Sequence, residues 1–301
     1  MRLVFAGTPG AALPSLRAVA SSHDVCAVIT RQDAPQGRKR ILTPSPVAEQ
    51  ASVLGLDVIK TNQLTATVGD RIAAFQPDLG VIVAYGSLVR EPLLSLPRFG
   101  WVNLHFSLLP RWRGAAPVQH SLIAGDRESG AVVFQLTPGL DDGDIIAEVR
   151  RGIEPDVTAG ELLAELSVVG AELLTRAIAE IGRGTTPRPQ TGEPSYAPKL
   201  TSADGRLEGT QTLTEVYGRF RGVTPEPGAW ILVGDTRLKI QGARPGDDRH
   251  VVPGEFSSDG QRVFWGVADG SLELLSVQPA GKREMSAISW WRGALRGGQP
   301  S

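Results

Sequence analysis

Short apolar runs separated by helix-like segments fill the first 180 residues of this 301-residue chain. The clearest run covers residues 79–84, and similar runs cover residues 3–6, 26–30 and 101–105. Runs that are apolar at successive positions are typical of strands buried on both faces of a parallel sheet. Because strands alternate with helices, the pattern predicts an α/β domain with a mostly parallel, Rossmann-like sheet. Such sheets bind ligands beyond the carboxyl ends of their strands, so the functional site is expected in those loops.

A second domain is predicted after one long helix over residues 161–181. Residues 182–198 are rich in Gly, Pro and Thr, which favours a linker. Short predicted strands with turn signals between them then indicate a small β-barrel or sandwich; they cover residues 229–233, 237–241, 262–267 and 271–276. We therefore predict a Rossmann-like domain over residues 1–185, a linker over 186–203 and a second domain over 204–301.

Composition limits the kind of protein this can be. The 31 basic and 32 acidic residues give a net charge of -1, so any binding to nucleic acid must use a local basic patch. No apolar run is long enough to span a bilayer or to form the core of a signal peptide. Cys26 is the only cysteine and cannot form an internal disulfide. We expect a cytoplasmic protein without membrane contact, and a monomer because no long apolar stripe suggests a partner.

Asn103 and His105 are the strongest candidates for chemistry. They are two residues apart on a predicted strand, so their side chains share one face. A donating amide beside an imidazole suits acyl or formyl transfer, in which a carbonyl becomes an oxyanion while the attacking amine loses a proton. Asp141, in the Gly-rich segment 139–144, is a candidate to orient the imidazole and to favour its charged form.

Each of these features also has a structural interpretation. An Asn-x-His pair on a buried strand is more often hydrogen-bonded for stability, and an acidic Gly-rich turn is more often a surface turn or a cation site. The turn at residues 7–10 lacks the G-x-G-x-x-G spacing of dinucleotide-binding loops, and the chain has no G-x-x-x-x-G-K-[ST] motif. A nicotinamide cofactor and nucleotide hydrolysis are therefore not favoured.

Five strings carry a resemblance to a known family: FAGTP (5–9), VAYG (83–86), NLHFSLLPRWRGAAPVQ (103–119), GLDDGD (139–144) and QPAGK (278–282). In these strings the chain resembles the folate-dependent formyltransferase family. The part over residues 107–119 is highly specific for that family. SYAPKL (195–200) together with QPAGKREMSA (278–287) is similar to the branch that formylates methionyl-tRNA.

The resemblance implies a Rossmann-like domain that binds 10-formyltetrahydrofolate as co-substrate, and an oligonucleotide-binding-type β-barrel that helps to bind methionyl initiator tRNA. It implies no metal. Asn103, His105 and Asp141 match the family's catalytic residues, with an imidazolium at His105 and the amide of Asn103 stabilising the oxyanion. It also implies a cis Leu109–Pro110 bond. The folate-binding residues that it implies are Ser107, Leu108, Leu109, Pro110, Tyr85, Gly86, Leu88 and Val89.

Residues 31–46 resemble the family's insertion that contacts the acceptor end of tRNA, with Arg38, Lys39 and Arg40 as the candidate contacts. Without the resemblance, this segment would be interpreted as a solvated flexible loop. Phe106 stands where many family members have Gly. Two alternatives remain open: a formyltransferase acting on a purine precursor or an amino sugar, and a non-catalytic RNA- or folate-binding protein on the same scaffold.

Overall fold

The computed structural model describes residues 1–37, 40–247 and 250–295. These residues form two compact units. The first contains residues 1–117, 128–151 and 163–196, and the second contains residues 118–127, 152–162 and the chain from residue 197. The second unit thus includes two short segments that lie between parts of the first unit along the chain. The predicted linear boundary at residues 186–203 stays a prediction.

Strands and helices are interspersed up to the long helix, although several strands follow one another without a helix between them. The helices are α1 (Leu13–Ser22), α2 (Pro46–Val53), α3 (Ala66–Ala74), α4 (Pro117–Ile123) and α5 (Ala159–Gly182). The strands are β1 (Arg2–Gly7), β2 (Asp24–Thr30), β3 (Ala34–Gln36), β4 (Ile41–Thr43), β5 (Val58–Lys60), β6 (Leu79–Val83), β7 (Trp101–His105), β8 (Arg113–Gly114), β9 (Glu128–Gln135) and β10 (Ile145–Gly152). The segment interpreted as a loop at residues 31–46 contains the β3–β4 hairpin.

Seven strands form the sheet of the first unit, in the order β10-β9-β7-β6-β1-β2-β5. The pairs β1–β2, β1–β6, β2–β5 and β6–β7 are parallel, whereas β9 is antiparallel to β7. The prediction of a mostly parallel sheet is confirmed. Every residue of β6 is buried, as expected for a strand covered on both faces. The carboxyl ends of β6 and β7 lie side by side, which brings the loops after these strands together.

Glycine at position 80 of β6 leaves room for a large side chain of the neighbouring strand β7. Trp101 is fully buried, and its indole nitrogen donates to the Leu93 carbonyl oxygen at 2.8 Å. A Cβ added to Gly80 would overlap the indole ring. Because the ring is held by its hydrogen bond, the strand needs glycine at this position to keep the packing of the sheet.

An antiparallel sheet dominates the second unit. The elements that follow α5 along the chain are β11 (Tyr196–Ala197), α6 (Leu213–Gly222), β12 (Ala229–Val233), β13 (Thr236–Pro245), β14 (Phe256–Ser258), β15 (Val263–Val267), β16 (Gly270–Pro279), β17 (Met285–Ser286) and α7 (Ala287–Leu295). The strand order is β12-β13-β16-β15-β14, and β17 also pairs with β16. Val216 and Phe220 of α6 belong to the core cluster that contains the inward residues of this sheet. The antiparallel domain is confirmed, and its closure into a barrel stays a prediction.

Helix α6 begins at a capping box. The Thr212 hydroxyl accepts from the Glu215 backbone, and the Glu215 carboxylate accepts from the Thr212 backbone. Both interactions satisfy amide groups that have no partner within the helix. Among the described residues, no helix is both long and apolar enough to cross a bilayer.

Candidate active site

Strand β7 presents two faces with different chemistry. Leu104 and Phe106 lie on the side of α5, where a Cβ added to Gly170 would be 3.1 Å from Leu104 Cδ2 and 3.4 Å from Phe106 Cε1. Asn103 and His105 alternate with them and therefore share the opposite face, as predicted. Phe106 thus packs in the space that Gly170 leaves open, and it does not lie on the face of the catalytic candidates.

The imidazole of His105 is almost fully buried, with 5% of the residue exposed. Its Nε2 lies 2.9 Å from the Trp112 carbonyl oxygen. A carbonyl oxygen can only accept, so Nε2 carries the proton of the neutral ring and donates it to Trp112. Nδ1 is then the unprotonated nitrogen, and it lies 3.8 Å from Asp141 Oδ2. This geometry makes Nδ1 the atom that is able to take up a proton, with a carboxylate next to it.

Burial lowers the pKa of His105 below its usual value near 6.5, while the nearby Asp141 and the hydrogen bond to Trp112 oppose that shift. Burial prevails because it removes the imidazolium from water and because Asp141 is too distant for a direct hydrogen bond. This shift favours the neutral ring, and a charged ring arises when Nδ1 accepts a proton. The imidazolium expected at His105 during transfer stays a prediction.

Asp141 reaches His105 because the chain turns back after β9. Because β9 is antiparallel to β7, the segment after β9 starts beside the amino end of β7, where the Leu136 amide donates to the Trp101 carbonyl oxygen. The segment then turns back towards His105, and the Gly114 amide donates to Asp141 Oδ2 at 2.8 Å. The tight return depends on Gly143, where an added Cβ would overlap the Gln135 carbonyl oxygen.

Asn103 is half-buried between two neighbouring strands, opposite Ile82 of β6 and Phe134 of β9. Within the described ranges, no protein group forms a hydrogen bond with its side-chain amide. A donor held on a rigid strand and left without a protein partner is suited to bind a carbonyl oxygen of a ligand. Its catalytic role stays a prediction.

The residues implied to bind folate follow β6 and β7. Tyr85 is buried, and its hydroxyl donates to the Thr61 carbonyl oxygen at 2.9 Å; Val89 belongs to the same core cluster. The Gly86 carbonyl oxygen accepts from Arg31 Nη2 at 2.9 Å. Leu88, by contrast, is 61% exposed. The side chains of Tyr85 and Val89 therefore stabilise the core, so a ligand would meet this segment through its backbone and through Leu88.

The second implied folate segment is similarly anchored. The Ser107 hydroxyl donates to the Arg111 carbonyl oxygen at 2.7 Å, and Leu109 and Pro110 are buried. Leu108 is half-buried, close to the place where a Cβ on Gly130 would lie. The Leu109–Pro110 peptide bond is cis, as the resemblance implied. The Ser107 hydrogen bond and the burial of Leu109 and Pro110 hold this turn in place beside β7.

Two of the three basic candidates for tRNA contact, Arg38 and Lys39, lie outside the described residues. Arg40 is exposed and has a left-handed backbone conformation with φ of 51°. In the adjoining strand β4, Ile41 and Leu42 are 62% and 66% exposed. An exposed basic residue thus precedes exposed apolar side chains in the described part of this segment.

Several groups around His105 could not be found from sequence. The Trp112 carbonyl fixes the tautomer of His105, and Gln190 holds the segment that carries Asp141. Backbone acceptors leave no signature in a sequence, and Gln190 falls in a stretch whose composition indicates a linker. In the described part of the chain, no group of three or more His, Cys, Asp or Glu side chains could hold a metal ion.

Comparison with known proteins identifies the class. Residues 1–178 match the family model described as formyl transferase, and residues 199–295 match the model described as formyl transferase, C-terminal domain. The chain belongs to the formyl transferase family.

Two relatives share nearly its full length. It is 61% identical over 295 residues to the methionyl-tRNA formyltransferase of Leifsonia xyli subsp. xyli (strain CTCB07), covering 98% of each chain. It is 55% identical over 296 residues to the methionyl-tRNA formyltransferase of Clavibacter sepedonicus, covering 97% of each chain.

Solved structures share the fold at lower identity. HypX from Aquifex aeolicus in complex with tetrahydrofolic acid has a TM-score of 0.68 and 16% identity, covering 100% of this chain and 48% of that chain. An N-formyltransferase from Helicobacter canadensis, in complex with folinic acid and dTDP-3-aminofucose, has a TM-score of 0.68 and 19% identity, covering 92% of this chain and 98% of that chain.

Proposed function

We propose that this protein transfers the formyl group of 10-formyltetrahydrofolate to the amino group of methionyl initiator tRNA, giving the formylated tRNA used to start translation. The observation that carries the proposal is 61% identity, over 98% of both chains, to a protein named for this activity. The Asn103, His105 and Asp141 arrangement supports the chemistry. We place the reaction in the cytoplasm, where initiator tRNA is used.

The candidate site fits the formyl group of the folate. A formyl oxygen needs a hydrogen-bond donor, and the side-chain amide of Asn103 has no competing protein partner in the described ranges. The backbone of residues 85–89 and 107–110, at the adjacent carboxyl ends of β6 and β7, would bind the rest of the folate. When bound, 10-formyltetrahydrofolate supplies the one-carbon group that is transferred.

Each catalytic candidate has one task in direct transfer. As the uncharged methionyl amine attacks, Asn103 donates to the oxygen of the formyl group, on which negative charge develops. Nδ1 of His105 accepts the proton that the amine loses, and His105 then returns this proton to the departing folate nitrogen. Asp141 stabilises the imidazolium that exists between these two proton transfers. One carbon–nitrogen bond forms and one breaks, with no net change in protons on the enzyme.

The direct test is a transfer assay with purified protein and labelled 10-formyltetrahydrofolate. We expect label on methionyl initiator tRNA, and much less on elongator methionyl-tRNA. A purine-precursor ribonucleotide and an amino-sugar nucleotide are the competing acceptors. Preferential labelling of either one would contradict the proposal, as would binding of tRNA and folate without any transfer.

We propose that the basic segment at residues 38–40 contacts the acceptor end of the tRNA. Changing Arg38, Lys39 and Arg40 together to Ala should raise KM for tRNA about 10-fold and leave KM for folate unchanged. Loss of about three phosphate contacts should reduce the slope of log KM against log salt by about 2.

Arg71→Ala on α3 is the control for removing an exposed positive charge from the first unit. It should leave both KM values and the salt dependence unchanged. An equal loss of affinity for tRNA and folate in the triple variant would contradict the assignment of this segment to RNA.

A further inference from the structure

We propose that Gln190 is a positioning residue for this reaction, whose side-chain amide holds the Asp141 segment where its carboxylate faces His105. The inference depends on the proposed formyl transfer and extends it to a residue in the stretch predicted to be a linker. Gln190 belongs to the same compact unit as the catalytic candidates.

Both ends of the Gln190 amide are used. Nε2 donates to the carbonyl oxygens of Asp141 at 2.8 Å and of Gly143 at 2.9 Å. Oε1 accepts from Arg113 Nη2 at 2.7 Å and from Nε at 3.3 Å. Carbonyl oxygens can only accept and a guanidinium can only donate, so these partners fix the orientation of the amide. A carboxylate or an apolar side chain could not both donate to the two carbonyl oxygens and accept from the guanidinium.

The Asp141 segment needs external support. Asp141 has φ of 47°, in the left-handed region that is unfavourable for a residue with a Cβ. Such a conformation persists where surrounding contacts hold it. The Asp141 carboxylate accepts from the Gly114 amide, and the backbone on either side of Asp142 is held by Gln190. Gln190 thus fixes the peptide groups that set the direction of the Asp141 side chain.

The chain around Gln190 is itself well anchored. Arg188 exchanges two backbone hydrogen bonds with Ile145, at 2.7 and 2.9 Å, and forms an ion pair with Glu148. Ser195 Oγ accepts from the Trp112 amide at 3.0 Å, and the Ser195 carbonyl oxygen accepts from the Arg113 amide at 2.8 Å. Residues 188–195 therefore contact the segment that binds His105 and the segment that faces it. Gln190 thus lies in a stretch that several hydrogen bonds hold in place.

The test uses Gln190→Met, which keeps the length of the side chain but removes its hydrogen bonds. We expect kcat to fall on the order of 10-fold with little change in KM for folate, as is typical for groups that orient a functional residue. A displaced Asp141 should oppose less strongly the lowering of the His105 pKa by burial. The acid limb of kcat/KM should therefore also move to lower pH. Gln190→Glu keeps the acceptor for Arg113 but loses the donor, so it should lose activity as well.

A double-mutant cycle separates positioning from general destabilisation. If Gln190 acts through Asp141, adding Gln190→Met to Asp141→Asn should reduce kcat by less than twofold. If the two residues act independently, Gln190→Met should reduce the kcat of Asp141→Asn by the same factor as in the unmodified protein. Gln76→Met is the matched control, because Gln76 is exposed and precedes the amino end of β6. It should behave as the unmodified protein.

The outcomes distinguish the two proposals. If the unmodified protein formylates no tRNA, the proposed function fails. If it does so and both Gln190 variants match its kcat and pH profile, or if the effects of Gln190→Met and Asp141→Asn are independent, the role of Gln190 is contradicted. Should Gln190→Met fold poorly by circular dichroism, the kcat of Gln190→Glu, which retains the pair with Arg113, provides the same comparison.

Discussion

Replacing Asn103 by Asp is expected to lower kcat by roughly 100- to 1000-fold, the usual cost of losing one oxyanion donor. The two side chains have nearly the same shape, but the aspartate lacks the donor and adds a negative charge where the oxyanion develops. Asn103 lies on β7 between β6 and β9, so the backbone should stay in place. Single-turnover kinetics with saturating folate and tRNA would measure the loss in the chemical step.

Gln76→Glu makes the same amide-to-carboxylate change at an exposed position before the amino end of β6, and it should retain full activity. The kcat of Asn103→Ala should fall by a factor similar to that of Asn103→Asp, because Asn103→Ala also removes the donor. Wild-type-like transfer by either Asn103 variant, with folding verified by the thermal midpoint, would show that Asn103 does not stabilise the transition state.

Asp141→Asn is expected to reduce kcat by on the order of 100-fold, within the usual contribution of general acid–base catalysis. The asparagine has the size of the aspartate but cannot stabilise the imidazolium that forms when His105 Nδ1 accepts a proton. The variant should also have an altered pH profile. In the proposed mechanism the neutral imidazole is the active form, so kcat/KM rises with pH through the pKa of His105.

The direction of that shift follows from the site. Burial already lowers the pKa of His105, and Asp141 partly opposes this effect. Removing the carboxylate should lower the pKa further, so the acid limb of kcat/KM moves to lower pH. Asp144→Asn removes one exposed charge from the same segment and should leave the limb unchanged. A limb that moves to higher pH in Asp141→Asn would contradict the assigned role of the neutral ring.

Part of this site could be predicted from neighbouring residues alone. Asn103 and His105 share a face because side chains on a strand alternate, a rule that needs no tertiary information. The buried runs that became β1, β2, β6 and β7 were evident because a strand covered on both faces is apolar at successive positions. The resemblance in residues 103–119 and 139–144 then indicated Asp141 without any knowledge of the path of the chain.

Other features required the three-dimensional structure. The direction of β9 is not encoded in its apolar run, since a buried strand has the same composition whether it is parallel or antiparallel to its neighbour. That direction determines the side from which the Asp141 segment approaches His105. The hairpin within residues 31–46 was also missed, because β3 and β4 are only three residues long and are largely exposed.

The sequence by itself determined the mixture of strands and helices, the shared face of Asn103 and His105, and the family, because these depend on local periodicity and on short strings. Only the tertiary structure decided the protonated nitrogen of His105, its lowered pKa and the support of Asp141 by Gln190. Each of these depends on burial or on hydrogen bonds between residues distant in the chain, such as the 49 positions that separate Gln190 from Asp141. Such contacts exist only once the backbone has folded.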